Sequence, residues 1–134
     1  MPEMNKNDLA YYRIQTSEEK LRSAEILFRE GMYKDSIGRA YYSIFSATRA
    51  VLALDGVDFS KHSAVIAYFQ KNYIKQNIFD KKYSKIISTS FIVRNHSDYD
   101  DMYIASKEEA SLQLESAKFF LEGIKKYLNE KQLR

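Results

Sequence analysis

The sequence predicts an all-α fold: an antiparallel bundle of four helices with one additional short helix. Three observations predict it. One proline and four glycines in 134 residues leave little punctuation for a β-rich chain. Apolar residues recur at three- and four-residue steps almost throughout. The connections between the periodic segments are short, as antiparallel neighbours require. A single domain over residues 1–134 is expected, long enough to bury one core without disulfide or metal staples.

The first helix is read over about Asn7 to Glu30, with Leu21, Ala24, Leu27 and Phe28 inward and Gly31 at the left-handed C-terminal cap. The second spans about Lys34 to Leu54. Ile37, Tyr41, Ile44, Phe45, Thr48, Val51 and Leu52 form its apolar face, and Asp55-Gly56 ends it. Ser60 is the expected N-cap of a short third helix carrying Val65, Ile66 and Phe69. A fourth helix is expected from Asp80 to about His96. The last starts at Ser106, where Ser106-Lys107-Glu108-Glu109 has capping-box spacing, and buries Ala110, Leu114, Ala117, Leu121, Ile124 and Leu128.

Composition excludes several chemistries. Without cysteine there is no disulfide framework, thiol nucleophile or thiolate metal site. Two histidines make a zinc site within one chain a poor expectation, so no metal and no cofactor are expected. No Gly-rich phosphate loop, His-Glu-x-x-His or EF-hand loop is present. Met1 to Lys20 is mostly polar and lacks a signal-peptide core, and no apolar run approaches a membrane span. A cytoplasmic protein without membrane contact is expected. The net charge is +3, and Lys61, Lys71, Lys75, Lys81, Lys82, Lys85 and Arg94 face only Asp80 in their stretch. That basic middle is either a polyanion footprint or a solvated lysine face.

Arg94-Asn95-His96-Ser97-Asp98-Tyr99 stands apart. It places six polar or ionisable residues after Ile86, Ile87, Phe91, Ile92 and Val93, including one of only two histidines. Packing does not require an arginine, an amide and an imidazole there; they serve chemistry on a phosphate, or they end a helix. With Gly31, Arg39-Ala40-Tyr41-Tyr42-Ser43-Ile44-Phe45, Gly56 and Lys61-His62-Ser63 before it, this order resembles the HEPN domains (higher eukaryotes and prokaryotes nucleotide-binding). It looks most like the small stand-alone prokaryotic branch with an Ala-Tyr-Tyr helix and an Arg…Asp-Tyr motif. The resemblance covers roughly Leu9 to Leu128.

The resemblance implies a helical bundle that commonly forms a homodimer. It also implies a metal-independent ribonuclease, often a toxin neutralised by a small nucleotidyltransferase. The family motif maps its arginine to Arg94 and the polar neighbour to Asn95. A histidine after four to six intervening residues is the family pattern. Tyr99, Asp100 and Asp101 stand there instead, and the nearby imidazole is His96. In a continuing helix a two-residue step turns His96 about 200° from Arg94. By resemblance, a tyrosine near the motif can accept AMP, which makes Tyr99 and Tyr103 the candidates.

The residue types suit metal-free RNA cleavage. A ribose 2′-hydroxyl attacks the adjacent phosphate, histidine moves the proton, and arginine stabilises the growing charge while an amide orients it. Arg94, Asn95 and His96 are the expected catalytic residues, with Arg94, Tyr99 and Lys85 as RNA contacts. Each also has a plainer reading: Arg94 with Asp98 as an i,i+4 ion pair, Asn95 as a cap, His96 as a helix-end residue, the tyrosines as packed rings with wet hydroxyls. His62 reads as part of a helix start. Two functions follow: an RNA-cleaving or RNA-binding toxin component, or a non-catalytic nucleotide-binding or interaction module. A structural adaptor is a third, and it predicts that Arg94 matters to stability alone.

Overall fold

The computed structural model describes residues 5–132. Among them are five α-helices: α1 (Lys6–Arg29), α2 (Tyr33–Leu54), α3 (His62–Phe69), α4 (Lys81–Tyr99) and α5 (Lys107–Gln132). The architecture is the antiparallel bundle with one short helix that the periodicity predicts. Met1–Met4 and Leu133–Arg134, the ends of the expected domain, lie outside the described residues.

Helix α2 is the centre of the bundle, packed by α1, α5, α4 and α3. Its predicted apolar face is buried in full: Ile37, Tyr41, Ile44, Phe45, Thr48, Val51 and Leu52. Small residues let α1 approach closely. The Ser17 hydroxyl donates to the Ser43 carbonyl at 2.6 Å and the Ser36 hydroxyl to the Ala24 carbonyl at 2.8 Å, so neither buried hydroxyl is left unpaired. On α5 all six predicted core positions are buried, with Phe120 added between them.

The helix ends follow from local chemistry. Gly31 has φ +78°, with Met32 N–H bonded to the Leu27 carbonyl and Gly31 N–H to that of Phe28, a Schellman cap. Ser106 and Glu109 form the predicted capping box: Glu109 N–H donates to the Ser106 hydroxyl at 3.0 Å, and Ser106 N–H to the Glu109 carboxylate at 3.1 Å. Asp80 caps α4 by accepting from Lys82 N–H.

Two expectations need correction. Lys61, not Ser60, occupies the N-cap of α3, without a side-chain cap bond. The preceding turn is fastened at Asp58 instead, which accepts from Phe59 N–H, Arg49 and Arg13, so the helix starts one residue later. Helix α4 runs to Tyr99 rather than His96. Its last turn is held by the i,i+4 pairs Arg94–Asp98 and His96–Asp100.

A π-helical turn, Gln70–Ile74, continues α3. Tyr68 and Tyr73, from α3 and this turn, both donate to Asp55 Oδ2, at 2.9 and 2.8 Å. Burial, with the Asp55 hydrogen bond and charge adding to it, holds both phenols above their ordinary range, so they remain donors. This pairing ties α3 to the end of α2 and so fixes where His62 sits.

Candidate functional site

The site begins at two adjacent tyrosines on α2. A one-residue helical step of about 100° sends Tyr41 into the core and leaves Tyr42 at the rim. Their rings still meet edge to face, centroids 5.2 Å apart. Arg94 reaches over both from α4, its Cζ 5.5 Å from the Tyr41 ring and 5.4 Å from the Tyr42 ring. The Tyr99 ring lies 5.8 Å from the same carbon. Such a seat favours a cation that is weakly hydrated and planar.

Hydrogen bonding leaves the Arg94 guanidinium partly unused. Nη2 donates to the Tyr42 hydroxyl at 3.1 Å. Nε lies 2.8 Å from Asp98 Oδ2, so the ion pair read from the sequence exists. The contact is one of charge rather than an aligned hydrogen bond, and the buried Nε keeps its N–H unsatisfied. Ser97 Oγ, three residues on, is likewise buried without a partner. Nη1 makes no hydrogen bond among the described residues. Nε thus faces a carboxylate and Nη2 a phenol, and Nη1 is the nitrogen left for an anion.

His62 joins this cluster from the first turn of α3. Its ring stacks on Phe45 with centroids 4.0 Å apart, and its Nδ1 is 2.8 Å from the Tyr41 hydroxyl. It also meets the edge of Tyr42. Burial lowers its pKa below the ordinary imidazole value of 6.5, and the charges of Arg94 and Arg49 lower it further. Burial raises the Tyr41 phenol, a shift that Arg94 opposes and Tyr42 reinforces, so the hydroxyl keeps its proton. His62 lines an open cleft of about 370 Å³ with Phe45, Arg49, Asp58, Phe59 and Ser60. Burial works against the Asp58 charge there. Hydrogen bonds from Arg49 and Phe59 N–H, and the charges of Arg49 and Arg13, outweigh it and hold the carboxyl below its usual range.

On the other side, Tyr42 and Asp98 line a second cleft of about 340 Å³ with Lys20, Lys34, Asp35, Gly38 and Arg39. Lys20, Lys34 and Arg39 have no ion-pair partner among the described residues. The two clefts meet where the edge of Tyr42 touches the His62 ring, with Arg94 over Tyr42 from α4, so cations and aromatic faces follow one another there, with Asp35, Asp58 and Asp98 among them. That combination suits a nucleic-acid strand, with phosphates on the cations and bases on the rings.

The other predicted residues are placed as follows. Asn95 is half-buried on α4 beside Arg94. His96 is exposed and pairs with Asp100, Nδ1 to Oδ2 2.9 Å. Because α4 continues past it, His96 faces away from the Arg94 of its own chain. Lys85 stands nine residues earlier, about half a turn round, in a groove between α4 and α5 with Ile86, Thr89 and Leu112. Like Lys61, Lys71, Lys75, Lys81 and Lys82 it is exposed. Tyr99 is 71% exposed. Tyr103 is partly buried and donates to Glu109 at 2.9 Å; burial, then that carboxylate, pushes its phenol up to about 12.

Sequence reasoning missed His62 as a member of the cluster, and it missed Lys20, Lys34 and Arg39. The available signal for His62 was modest: one of two histidines, directly after the turn that follows the tyrosine-bearing helix.

Residues 10–127 match the family model for the HEPN domain. The chain belongs to the HEPN domain family. Among its HEPN relatives, a Methanocaldococcus jannaschii protein named "Putative toxin MJ0605" is 34% identical over 117 residues, 87% of either chain. A second from the same organism, "Putative toxin MJ0142", is 33% identical over 120 residues, 90% of this chain and 82% of its own. A Thermotoga maritima relative named "UPF0332 protein" is 28% identical across 91% of this chain and 92% of its own. No helix of the described residues is long and apolar enough to cross a membrane.

Proposed function

We propose that this HEPN protein is the toxin-like, RNA-cleaving component of a pair with a nucleotidyltransferase, acting on cytoplasmic RNA without a metal. The observation that carries the reading is Arg94. It is a guanidinium among three tyrosine rings, held by Asp98 and Tyr42 and beside the Tyr42 that lines the cationic cleft. Such a group stabilises charge growing on phosphoryl oxygens when a 2′-hydroxyl attacks. Asn95 orients the phosphate and Tyr99 offers a ring to a base, while Lys85, half a turn round α4, lies away from this site. The toxin names of the relatives support the toxin part of the reading.

A homodimer fits the exposed side of α4 and the loop after it. Ile92, His96 and Tyr99 share that side, and Met102 and Ile104 follow at 90% and 88% exposure. In a dimer through this face, the His96 of one copy would turn toward its partner. The test is cleavage of a mixed RNA substrate in EDTA by purified protein of measured oligomeric state. Cleavage to cyclic phosphate ends is expected. No cleavage by the unmodified, partner-free dimer would sink the ribonuclease reading. RNA or nucleotide binding without cleavage would favour the non-catalytic module, whose support is that Asp98 and Tyr42 already hold Arg94.

Control by nucleotidylation centres on Tyr99 rather than Tyr103. Tyr99 is open beside Arg94, whereas the Tyr103 hydroxyl is engaged in the cap of α5. Incubation with the partner transferase and ATP is expected to add one adenylyl group and stop RNA cleavage. Tyr99→Phe removes the addition and Tyr103→Phe does not, as mass spectrometry would read; the reverse pattern refutes the assignment.

A further inference from the structure

We infer that His62, rather than His96, moves the proton in the cleavage reaction, with Tyr41 as its positioning residue. The inference rests on the ribonuclease reading above and adds to it the group that the displaced motif leaves unassigned. His62 is the histidine that a single chain brings to Arg94, and the two share the Tyr41 and Tyr42 rings as neighbours. His96 faces the opposite way and is occupied by Asp100.

The setting of His62 fits the task atom by atom. Phe45 fixes the ring plane at 4.0 Å, and Nδ1 is held by the Tyr41 hydroxyl at 2.8 Å. Nε2 has no partner among the described residues and is left for the cleft that His62 lines. A phenol both donates and accepts, so Tyr41 follows either tautomer. With Nδ1–H donating to Tyr41, the Nε2 lone pair takes the 2′-hydroxyl proton. The O2′–P bond forms and the P–O5′ bond breaks. The 5′-oxygen leaves with a proton from water, and the hydroxide so formed takes the proton back from His62, giving a 2′,3′-cyclic phosphate, a 5′-hydroxyl and the neutral base again. Arg94 carries the extra charge on the phosphoryl oxygens during the step.

Burial and the charged groups around the imidazole act together on its titration. Burial disfavours the imidazolium most, then Arg94 on α4 and Arg49 on α2, while Asp58 lines the same cleft across Arg49. The base is therefore deprotonated, and competent, from a pH below 6.5 upward. The same sign holds for stability. The unfolded histidine protonates at a higher pH than the folded one, so the contribution of His62 is present above the unfolded value and is lost as pH falls through the folded one.

RNA cleavage in EDTA across pH by wild type, His62→Ala, His62→Gln, His96→Ala and Tyr41→Phe tests the assignment. His62→Ala and His62→Gln are expected to lose about 100-fold or more and to lose the acidic limb of the pH–rate profile. Added imidazole restores part of the His62→Ala rate, which a purely structural role would not allow. His96→Ala keeps the acidic limb of the profile, whatever its rate. Tyr41→Phe, which deletes the hydroxyl but keeps the ring, loses about tenfold and moves the limb. Should the His62 variants misfold, an unmoved limb in Tyr41→Phe overturns the proposal. Folded His62 variants that cleave like wild type, or a loss confined to His96→Ala, overturn it while the ribonuclease reading stands. Wild type that cleaves nothing at any pH removes that reading and this one with it.

Discussion

Arg94→Ala is expected to lower RNA cleavage by about 10²- to 10³-fold, the cost of removing a donor aimed at a developing oxyanion. Arg94→Lys should recover little of it. An ammonium cannot present a planar fork, and it is more strongly hydrated than the guanidinium that lies over the Tyr41 and Tyr42 rings. Stability should change far less. The ion pair that disappears is to Asp98, a partly exposed partner, and such pairs contribute about 1 kcal/mol or less. Initial cleavage rates beside urea unfolding curves separate the two effects. A protein that loses stability but keeps cleavage on Arg94→Ala would be the structural adaptor.

Phe120→Ala should do the converse. Phe120 is fully buried on α5, 5.9 Å from the Phe69 ring of α3 and 5.5 Å from the Tyr83 ring of α4, so one side chain joins three helices. Truncation leaves a cavity at that junction and is expected to cost about 3–5 kcal/mol, read as a lower urea midpoint. Tyr83 is already wedged against Gly123, where any Cβ would overlap its ring, so it has little room to collapse inward. Cleavage per folded molecule should stay at the wild-type level, because none of these residues touches Arg94 or His62. A loss below about 1 kcal/mol would mean that α3, α4 and α5 are not joined there.

The contrast between these variants reflects what the sequence makes legible. The helices were readable because burial of α2 and α5 repeats at helical steps, and Gly31, Asp55-Gly56 and Ser106…Glu109 mark ends through local backbone chemistry. The end of α4 was read too early. A polar stretch looks like a terminus, yet Arg94–Asp98 and His96–Asp100 are pairs that carry the helix onward. Arg94 and the tyrosines stood out through the family motif. His62 belongs to the same resemblance but reads as a helix start, because its place in the cluster depends on Tyr41, 21 residues away, and on α3 being pinned to Asp55 by Tyr68 and Tyr73. Lys20, Lys34 and Arg39 are scattered over two helices and converge only in the folded chain. The dense lysine stretch from Lys61 to Lys85 drew attention in sequence but stays spread over solvated surface.

That contrast supplies the most direct test of the central claim, that RNA phosphate docks on Arg94 within the tyrosine and His62 cluster. A short 2′-O-methyl RNA, which cannot be cleaved by 2′-hydroxyl attack, would be titrated into the protein. The Arg94 Nε–H and His62 ring signals would be followed by NMR. Both should shift together and saturate with one affinity, and Arg94→Ala should abolish the shift at His62. Saturable binding that moves the lysine face around Lys82 and Lys85, while Arg94 and His62 stay unmoved, would contradict the claim.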